Sequence, residues 1–339
     1  MNNLHTIESI WYSRSQLLRI ILWPLNLFFL FLVKLKRLLY TCNILSSHRF
    51  SKPVIVIGNI TIGGTGKTPF INQLVRVLAQ DGIKAGIVSR GYQAAIKNHP
   101  HQVDRSSTAI DVGDEAYMQY VDLNQKSRLS IPMIIDPDRS QAINYLIEKN
   151  DVDIVISDDG LQHYQMQRDI EILLVDGERQ FGNRLILPFG PLREPVSRTK
   201  TVDLVIQNGE TKSPFSDFNV YLKPCKLVQL MTGKEVSLEE FSNEKVIAIA
   251  GIGNPDRFFN SLKNICTVEN KKAFPDHYDF KYKDFVEFQN DTIVMTEKDA
   301  SKCFTFADEN WYYLKVEMNF EHALSERLLS MIKNVIKHK

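Results

Sequence analysis

A glycine-rich turn with a lysine and a threonine is the segment of this sequence best suited to chemistry on phosphate. It reads V-I-V-I-G-N-I-T-I-G-G-T-G-K-T-P-F over residues 54–70, a buried-type strand that leads through glycines into a helix. Glycines let the backbone aim amide N–H groups at phosphate oxygens, and the positive end of the following helix attracts an anion. We expect Lys67 to reach the β- and γ-phosphates of ATP and the Thr68 hydroxyl to ligate Mg²⁺. The predicted nucleotide-binding residues are Thr61, Gly63, Gly64, Thr65, Gly66, Lys67 and Thr68.

The turn departs from the strict G-x-x-x-x-G-K-[ST] pattern, because Thr61 stands where the first glycine is expected. The pattern is better written G-G-x-G-K-T. An incidental glycine-rich turn is the structural alternative. The order of strand, glycines, Lys-Thr and helix favours the phosphate-binding loop, or P-loop.

A P-loop also needs a carboxylate near its metal, and D-I-V-I-S-D-D-G-L-Q-H over residues 153–163 supplies two at the end of a hydrophobic run. We predict that Asp158 or Asp159 holds Mg²⁺ directly or through water, while the other orients a neighbouring group. The sequence does not decide between the two. Two acids in a solvated turn are the structural alternative.

Composition limits the class of protein. The chain has 339 residues, 44% hydrophobic and 24% charged, which predicts about two domains that fold in water. Its four cysteines are scattered without metal-ligand spacing, so a structural zinc site is disfavoured. No acidic residue lies between Glu8 and Asp81, whereas seven basic residues lie between positions 14 and 52. This local positive charge favours anionic lipid over nucleic acid as a partner.

An uncharged apolar run at residues 20–33 is followed at once by Lys34, Lys36 and Arg37. It is short for a bilayer span, which needs about 20 apolar residues, and Pro24 weakens a straight spanning helix. A signal peptide is disfavoured because the basic cluster follows the run. We predict a helix or helical hairpin in the membrane interface, with a true span and a buried core helix as alternatives.

Short β-branched runs alternate with amphipathic stretches after residue 52, which predicts an α/β fold with a mostly parallel sheet covered by helices. The first set of strands is expected at residues 54–57, 85–88, 133–135, 154–156, 172–175 and 204–206, with helices at 70–79 and 139–149. A second set follows at 246–250, 292–295 and 312–316, with a helix at 323–337, joined by a β element around 218–236. The predicted division is an N-terminal helical segment (1–50), a P-loop domain (51–215) and a smaller α/β domain (216–339).

Three loop clusters add to the P-loop and its carboxylates: S-R-G-Y at 89–92, V-G-D-E-A at 112–116 and L-P-F-G-P-L-R-E-P at 187–195. In this order, and through T-E-K-D at 296–299, the chain resembles the tetraacyldisaccharide 4'-kinase family of lipid A biosynthesis. The resemblance implies Mg·ATP-dependent phosphorylation of the 4'-hydroxyl of a tetraacyl glucosamine disaccharide 1-phosphate to lipid IV-A. It also implies a peripheral or monotopic protein at the cytoplasmic face of the bacterial inner membrane.

The resemblance further assigns roles to loop residues. Asp114 of G-D-E matches the proposed catalytic base, and His277 of F-P-D-H-Y matches the histidine that pairs with it. A late proton acceptor beside a positioned phosphate suits phosphoryl transfer. From the residues alone, Asp114 is an acid at a helix start and His277 a packed or surface ring.

Five further residues resemble contacts to substrate or nucleotide, and each has a structural alternative. The residues are Tyr92, Arg139, Gln162, His163 and Arg193. Tyr92 alternatively packs against the sheet, and Arg139 alternatively pairs with Asp138. Arg193 clamps a phosphate or pairs with Glu194. A-I-A-G-I-G-N-P at 248–255 is interpreted as a strand-to-helix turn, because it lacks the third glycine of a dinucleotide site.

Two other classes of protein remain as rivals at this point. A membrane-recruited nucleotide switch, of the partitioning-ATPase or metallochaperone-GTPase type, also carries G-G-x-G-K-T. Against it, Ile62 stands where such an ATPase has an early lysine, and no N-K-x-D motif occurs. A non-catalytic protein with a vestigial P-loop is disfavoured while Lys67 and Thr68 remain. No obligate protein partner is inferred, and acyl-chain specificity and oligomeric state stay open.

Overall fold

Helices and strands alternate along the first part of the chain, as the sequence predicts. The computed structural model describes residues 11–12, 16–209, 213–276 and 278–339. Its first elements are α1 (Gln16–Thr41), β1 (Val54–Gly58), α2 (Lys67–Gln80), β2 (Ala85–Ser89), β3 (His101–Gln102), α3 (Ala109–Val112), α4 (Asp114–Tyr120), β4 (Met133–Ile135), α5 (Arg139–Lys149), β5 (Ile154–Asp158), β6 (Ile170–Asp176) and β7 (Leu204–Asn208). A π-helical turn (Val121–Lys126) extends α4, and a 3-10 turn (Val196–Lys200) precedes β7.

The later elements repeat this alternation in a smaller set. They are β8 (Phe218–Gln229), β9 (Glu235–Val236), β10 (Lys245–Ala250), α6 (Pro255–Lys263), β11 (Thr267–Ala273), β12 (Thr292–Thr296), α7 (Glu297–Ala300), β13 (Trp311–Asn319) and α8 (His322–Lys337). The predicted strands and helices all occur, with ends that differ by a few residues. The edge strand β11 was not predicted, because its polar, exposed sequence lacks a buried-strand pattern.

One sheet of thirteen strands runs through the described residues in the order β11-β10-β12-β13-β8-β7-β6-β1-β5-β2-β4-β3, with β9 beside β8. Most neighbours are parallel, and β1 lies between β5 and β6. The long strand β8 pairs in parallel with β7 and in antiparallel fashion with β13. The sheet therefore continues from the first part of the chain into the second through β8.

Alternation along β1 builds a core on each face of the sheet. Ile55 and Ile57 pack with α2 on one face, whereas Val54 and Val56 pack with α5 on the other. All four are fully buried, which stabilises the fold by about 1.5–3 kcal/mol for each such side chain. The α/β class with a mostly parallel, helix-covered sheet is confirmed.

The C-terminal helix α8 packs in the core of the first part of the chain. Leu324, Leu328 and Ile332 lie in the same cluster as Ile55, and the rings of Phe70 and Phe320 are 4.8 Å apart. The predicted division places this helix in the smaller domain (216–339), but its packing joins it to the P-loop part. The apolar stripe of α8 packs in the same core cluster as α2. Sequence periodicity predicts such a stripe but not the surface against which it packs.

The N-terminal helix α1 has a packed face and an exposed apolar face. Asn26 Oδ1 accepts a hydrogen bond from the Ile186 amide at 2.6 Å, and Phe29 packs on Phe189. The opposite face exposes Trp23, Leu25, Phe28, Phe31, Leu32 and Leu38. Among the described residues, no helix combines the length and apolarity that crossing a bilayer requires.

Candidate nucleotide-binding and catalytic site

The P-loop turn between β1 and α2 has a backbone that glycine is needed to form. Gly66 precedes α2 with φ of 86°, and Gly63 has φ of 107°. A Cβ at Gly66 would lie 2.3 Å from Asn208 Nδ2, which donates to the Thr65 carbonyl at 3.0 Å. Any other residue at Gly66 would therefore be strained and would displace Asn208. The turn presents the N-terminal amides of α2, as a phosphate site requires.

Lys67 lies between the turn and the neighbouring strand end. Its Nζ donates to Asn59 Oδ1 at 3.4 Å and lies 3.6 Å from Asp159 Oδ1. Asn59 in turn donates through Nδ2 to the Gly63 carbonyl at 3.1 Å. Asn59 thus fixes both the loop and the lysine, while Thr68 follows in the first turn of α2.

The proline-bounded loop at 187–195 supports the P-loop from one side. The Ile62 amide donates to the Pro191 carbonyl at 2.8 Å, and the Arg193 amide donates to the Ile60 carbonyl at 2.7 Å. Thr61 forms an antiparallel bridge with Leu192 and is buried. The departure at Thr61 from the usual glycine therefore falls where the P-loop pairs with this second loop.

Asp158 ends β5 directly beside β1, where it pairs in register with Ile57. The residue is 6% exposed, and its Oδ1 has no hydrogen-bond partner among the described residues. Burial raises the pKa of Asp158 to about 7, although the charge of Lys67 opposes the shift. A buried carboxylate oxygen without a partner is costly and calls for a ligand.

Asp159 follows in a left-handed conformation with φ of 50°, which turns its carboxylate toward two cations. Arg193 Nη1 lies 2.8 Å from Asp159 Oδ2, and Lys67 lies on the other oxygen. Burial favours the neutral acid, but Lys67 and Arg193 outweigh it and hold the pKa of Asp159 below its usual range. The alternative pairing of Arg193 with Glu194 is wrong, because Glu194 binds Arg198 instead.

Arg139 contacts the backbone of the turn at Asp158 and Asp159 through hydrogen bonds to their carbonyl oxygens. It is 5% exposed, and its Nη2 donates to the carbonyls of Asp158 at 3.0 Å and Asp159 at 3.4 Å. The alternative pairing with Asp138 is wrong, because the Asp138 carboxylate caps α5 by accepting from the Ser140 amide. Arg139 therefore holds the turn, and its predicted ligand contact stays untested.

Gln162 and His163 lie beside this turn. Gln162 Nε2 donates to the Asn59 carbonyl at 3.1 Å, and its Oε1 is 3.5 Å from Arg193 Nη1. Burial, with the charge of Arg139, lowers the pKa of His163 to about 4, so the ring is neutral at pH 7. Gln162 thus lies between Asn59 and Arg193, while His163 follows it in the chain, and the contact of either residue to a substrate stays a prediction.

The S-R-G-Y and G-D-E loops pack on each other. A Cβ at Gly113, where φ is 88°, would lie 2.3 Å from the Tyr92 carbonyl. The Tyr92 side chain is 57% exposed, so packing of its ring into the sheet is excluded. Asp114 begins α4 directly after Gly113. The predicted base therefore lies at the start of a helix whose preceding turn packs against the S-R-G-Y loop.

Two lysines after β12 connect the G-D-E loop to the second part of the chain. Lys298 Nζ lies 3.2 Å from Glu115 and 3.1 Å from Asp276, and Lys302 Nζ lies 3.3 Å from Asp114. Lys302 also donates to the Tyr278 carbonyl at 3.0 Å. His277 falls outside the described residues, so its predicted pairing with Asp114 is untested.

The G-I-G-N-P turn also lies against the P-loop. A Cβ at Gly253 would be 3.2 Å from the Gly64 amide nitrogen. The side chain of Asn254 caps α6, and Pro255 is the first residue of that helix, which confirms the strand-to-helix interpretation. In α6, Arg257 Nη2 donates to Asn208 Oδ1 at 2.5 Å, so the smaller part contacts the P-loop through Asn208.

The residues of the site fit a hard divalent cation. Asp158 Oδ1 and Asp159 Oδ1 are both buried without a hydrogen-bond partner among the described residues. Carboxylate oxygens are ligands that Mg²⁺ prefers, and phosphates and water commonly complete its shell. In the described ranges, no group of three or more His, Cys, Asp or Glu side chains could hold a metal ion by itself.

A cavity of about 480 Å³ lies elsewhere, between α2, β8 and β13. Its four basic side chains are balanced by four acids: Arg76 and Lys315 pair with Asp122, Lys126 with Glu297 and Lys226 with Glu235, and Glu317 also lines the cavity. A charge-compensated cavity offers little to a polyanion such as a nucleotide. The P-loop edge of the sheet is therefore the better candidate.

A glycine turn from β1 into α2, a lysine and two strand-end acids define a P-loop nucleotide-binding protein. The model of the family described as Tetraacyldisaccharide-1-P 4'-kinase matches residues 18–333. The chain belongs to this family, which confirms the resemblance.

Its relatives cover nearly the whole chain. The tetraacyldisaccharide 4'-kinase of Shewanella woodyi is 42% identical over 341 residues, which is 98% of this chain and 97% of the relative. That of Haemophilus influenzae is 43% identical over 309 residues, or 91% of this chain and 90% of the relative. The crystal structure of "apo" form LpxK from Aquifex aeolicus in complex with ATP matches with a TM-score of 0.74 and 26% identity, covering 94% of this chain and 99% of that one.

Sequence reasoning missed the residues that support the site through tertiary contacts. Asn59, Asn208, Lys298, Lys302 and Arg257 are the clearest cases. Asn208 had a weak signal, because it is a polar residue at the end of a buried strand. Lys298 is the lysine of T-E-K-D, to which the sequence assigned no role, and Lys302 follows that motif.

Proposed function

We propose that this chain is an ATP-dependent kinase that phosphorylates the 4'-hydroxyl of a tetraacyl glucosamine disaccharide 1-phosphate to give lipid IV-A. The observation that carries the proposal is the ion pair of Lys67 with Asp159 at the strand end where Asp158 lies beside β1. Relatives more than 40% identical bear the name of this kinase, and the related LpxK structure is a complex with ATP. The relatives that match nearly the whole chain are named as this kinase, which favours the kinase over the nucleotide switch.

The residues have distinct roles in this proposal. The amides of residues 63–68 and the Lys67 ammonium bind the phosphates, and Thr68 with Asp158 or Asp159 holds Mg²⁺. When bound, Mg²⁺ supplies neutralisation of charge across the β- and γ-phosphates. Asp114, paired with His277, accepts the hydroxyl proton as the oxygen–phosphorus bond forms and the bond to the β,γ-bridging oxygen breaks.

Contacts to the acceptor form a second part of the proposal. Tyr92, exposed on the loop that packs against Gly113, is placed to meet a sugar near Asp114. Gln162, His163 and Arg193 line the other side of the carboxylate turn. Arg139, being buried, contributes by holding that turn.

Membrane association is proposed through α1. Its exposed apolar side chains, with the exposed Lys34 and Lys36, form a face suited to anionic headgroups at the cytoplasmic surface of the inner membrane. The acyl chains of the acceptor then lie in the same bilayer. The division into segments 1–50, 51–215 and 216–339 is proposed with the reservation that α8 packs on the P-loop part.

Transfer of labelled phosphate from ATP to the acylated disaccharide 1-phosphate in detergent tests the function. The expected result is acceptor-dependent turnover that stops in excess EDTA. ATP hydrolysis indifferent to the acceptor, together with a nucleotide-dependent dimer, would instead support the switch.

A further inference from the structure

Lys302 makes the contact that joins the predicted base to the second part of the chain. Its Nζ lies 3.3 Å from Asp114 Oδ2 and donates to the Tyr278 carbonyl at 3.0 Å. The Lys302 and Asp114 side chains are 11% and 18% exposed. Because the pair is largely shielded from water, its Coulomb attraction is screened less than in a surface ion pair, and removing the lysine would leave the carboxylate without a compensating charge.

The backbone that carries Lys302 is fixed. Thr296 caps α7, and the buried Asp299 carboxylate accepts a hydrogen bond from the Gly251 amide at 2.9 Å. The Lys302 amide donates to the Asp299 carbonyl at 3.1 Å. A lysine is flexible along its stem, but here both ends of the side chain are held.

The position of Lys302 suits a carboxylate that must work beside a polyanion. An aspartate that approaches the terminal phosphate of ATP meets like-charge repulsion, which a fixed ammonium offsets. The Lys302 ammonium has three N–H donors, so it can donate to the Tyr278 carbonyl and still pair with Asp114. One lysine therefore holds Asp114 and the loop at residue 278 together. Lys298 makes the analogous contact to Glu115, one residue along α4.

We propose that Lys302 is a positioning residue that orients the Asp114 carboxylate toward the acceptor hydroxyl across the contact between the two parts of the chain. The inference rests on the proposed function, because it needs Asp114 to be the base. Lys302 acts through Asp114 and does not itself bind the reacting atoms. It is therefore expected to affect kcat far more than the KM for ATP.

The test compares Lys302→Met, Lys302→Arg and the control Lys245→Met, which removes an exposed lysine paired with Glu269. Lys302→Met is expected to lower kcat about a hundredfold, as loss of orientation does, with little change in the KM for ATP. Lys302→Arg should recover most of the activity, and Lys245→Met should match the wild type. Lys302→Gln keeps a donor for the Tyr278 carbonyl but no charge, so the variant should remain folded with a kcat as low as that of Lys302→Met.

A double-mutant cycle with Asp114→Asn decides whether the lysine acts through that carboxylate. Adding Lys302→Met to Asp114→Asn should cost little more activity than Asp114→Asn alone. If the activity losses of the two single variants multiply in the double variant, the inference is overturned. An unchanged kcat in Lys302→Met, or an effect confined to the KM for ATP, would overturn it too. Absence of transfer by the wild type would overturn the proposed function as well, which separates the two failures.

Discussion

Two groups of buried charge in the same half of the molecule differ in how fully they are satisfied. The strand-end cluster comprises Lys67, Asp158 and Asp159. The arginine cluster comprises Arg198, 2% exposed, with Glu171 and Glu194. Both Glu194 oxygens accept, from Arg198 Nε at 3.0 Å and from the Tyr164 hydroxyl, whereas Asp158 Oδ1 has no partner among the described residues. The strand-end cluster therefore has a carboxylate oxygen available to bind a ligand, whereas the arginine cluster uses its carboxylate oxygens in hydrogen bonds that stabilise the fold.

Asp158 of the strand-end cluster and Glu171 of the arginine cluster have pKa values shifted in opposite directions. Burial raises the pKa of Asp158 to about 7. Burial acts the same way on Glu171, but Arg198 and Arg168 outweigh it and hold the pKa of Glu171 below its usual range. The comparison teaches that burial alone does not mark a functional acid. Asp158 is distinguished because burial and an oxygen without a partner among the described residues occur together at the strand end beside the P-loop.

The largest expected effect is on stability, from Arg198→Met. Removing one partner of a buried network leaves Glu194 without its cation and Glu171 with Arg168 alone, so the free energy of unfolding should fall by about 3–5 kcal/mol. Urea denaturation measures it. Arg198→Lys, which keeps one charge, should lose less. A Met variant as stable as the wild type would show that the arginine cluster contributes nothing to the fold.

Lys67→Met should have the largest effect on catalysis. Loss of the ammonium on the phosphates is expected to lower kcat by about 10²–10³-fold, with no loss of unfolding free energy comparable to that of Arg198→Met. Steady-state assays with the disaccharide acceptor measure the rate. The exposed Lys84, paired with Asp151, provides the control Lys84→Met. Equal losses in both variants would contradict the role given to Lys67.

Asp158→Asn should separate activity from stability. We expect about a hundredfold loss of activity together with a fold at least as stable as the wild type. Because the native pKa of Asp158 lies above that of an unfolded aspartate, the native state binds the proton more tightly. This group's contribution therefore lowers stability as pH rises from about 4 to 7, and the Asn variant should lack that contribution. Denaturation curves measured without metal across this pH range give the free energy of unfolding of both proteins. A wild type that gains stability relative to the Asn variant as pH rises would contradict the prediction.

Arg193→Lys is expected to have the smallest effect, about tenfold on kcat/KM. Lysine keeps the charge beside Asp159 but does not reproduce the fixed position of the guanidinium Nη1 between Asp159 and Gln162. Arg327→Lys, on the exposed side of α8, is the matched control. An Arg193→Lys enzyme indistinguishable from this control would show that the guanidinium is dispensable.

The sequence predicted what local pattern determines. The strand β1, the glycine turn and α2 follow from β-branched and glycine residues in order, and α5 occurs at the expected residues. What failed depends on partners distant in the chain. Arg139 bonds backbone carbonyls 19 and 20 residues away, and Lys302 pairs with Asp114 in the first part of the chain. No spacing rule reports such contacts.

The strand β11 and the placement of α8 show the same limit on the fold. Strand β11 lies at the edge of the sheet and is polar, so parallel pairing with β10 rather than its own pattern defines it. The helix α8 was predicted from its apolar periodicity, but periodicity gives a face and not the surface that it covers. Tertiary packing decided both.

Calorimetric titration of ATP, with Mg²⁺ and with EDTA, tests the central claim that the strand-end cluster reserves its unsatisfied charge for a metal–nucleotide complex. The account predicts that Mg²⁺ tightens ATP binding by about tenfold or more in the wild type and in Asp151→Asn, an exposed control, and that Asp158→Asn loses this advantage. Binding of ATP that is equally tight without Mg²⁺, or a Mg²⁺ advantage retained by Asp158→Asn, would contradict it.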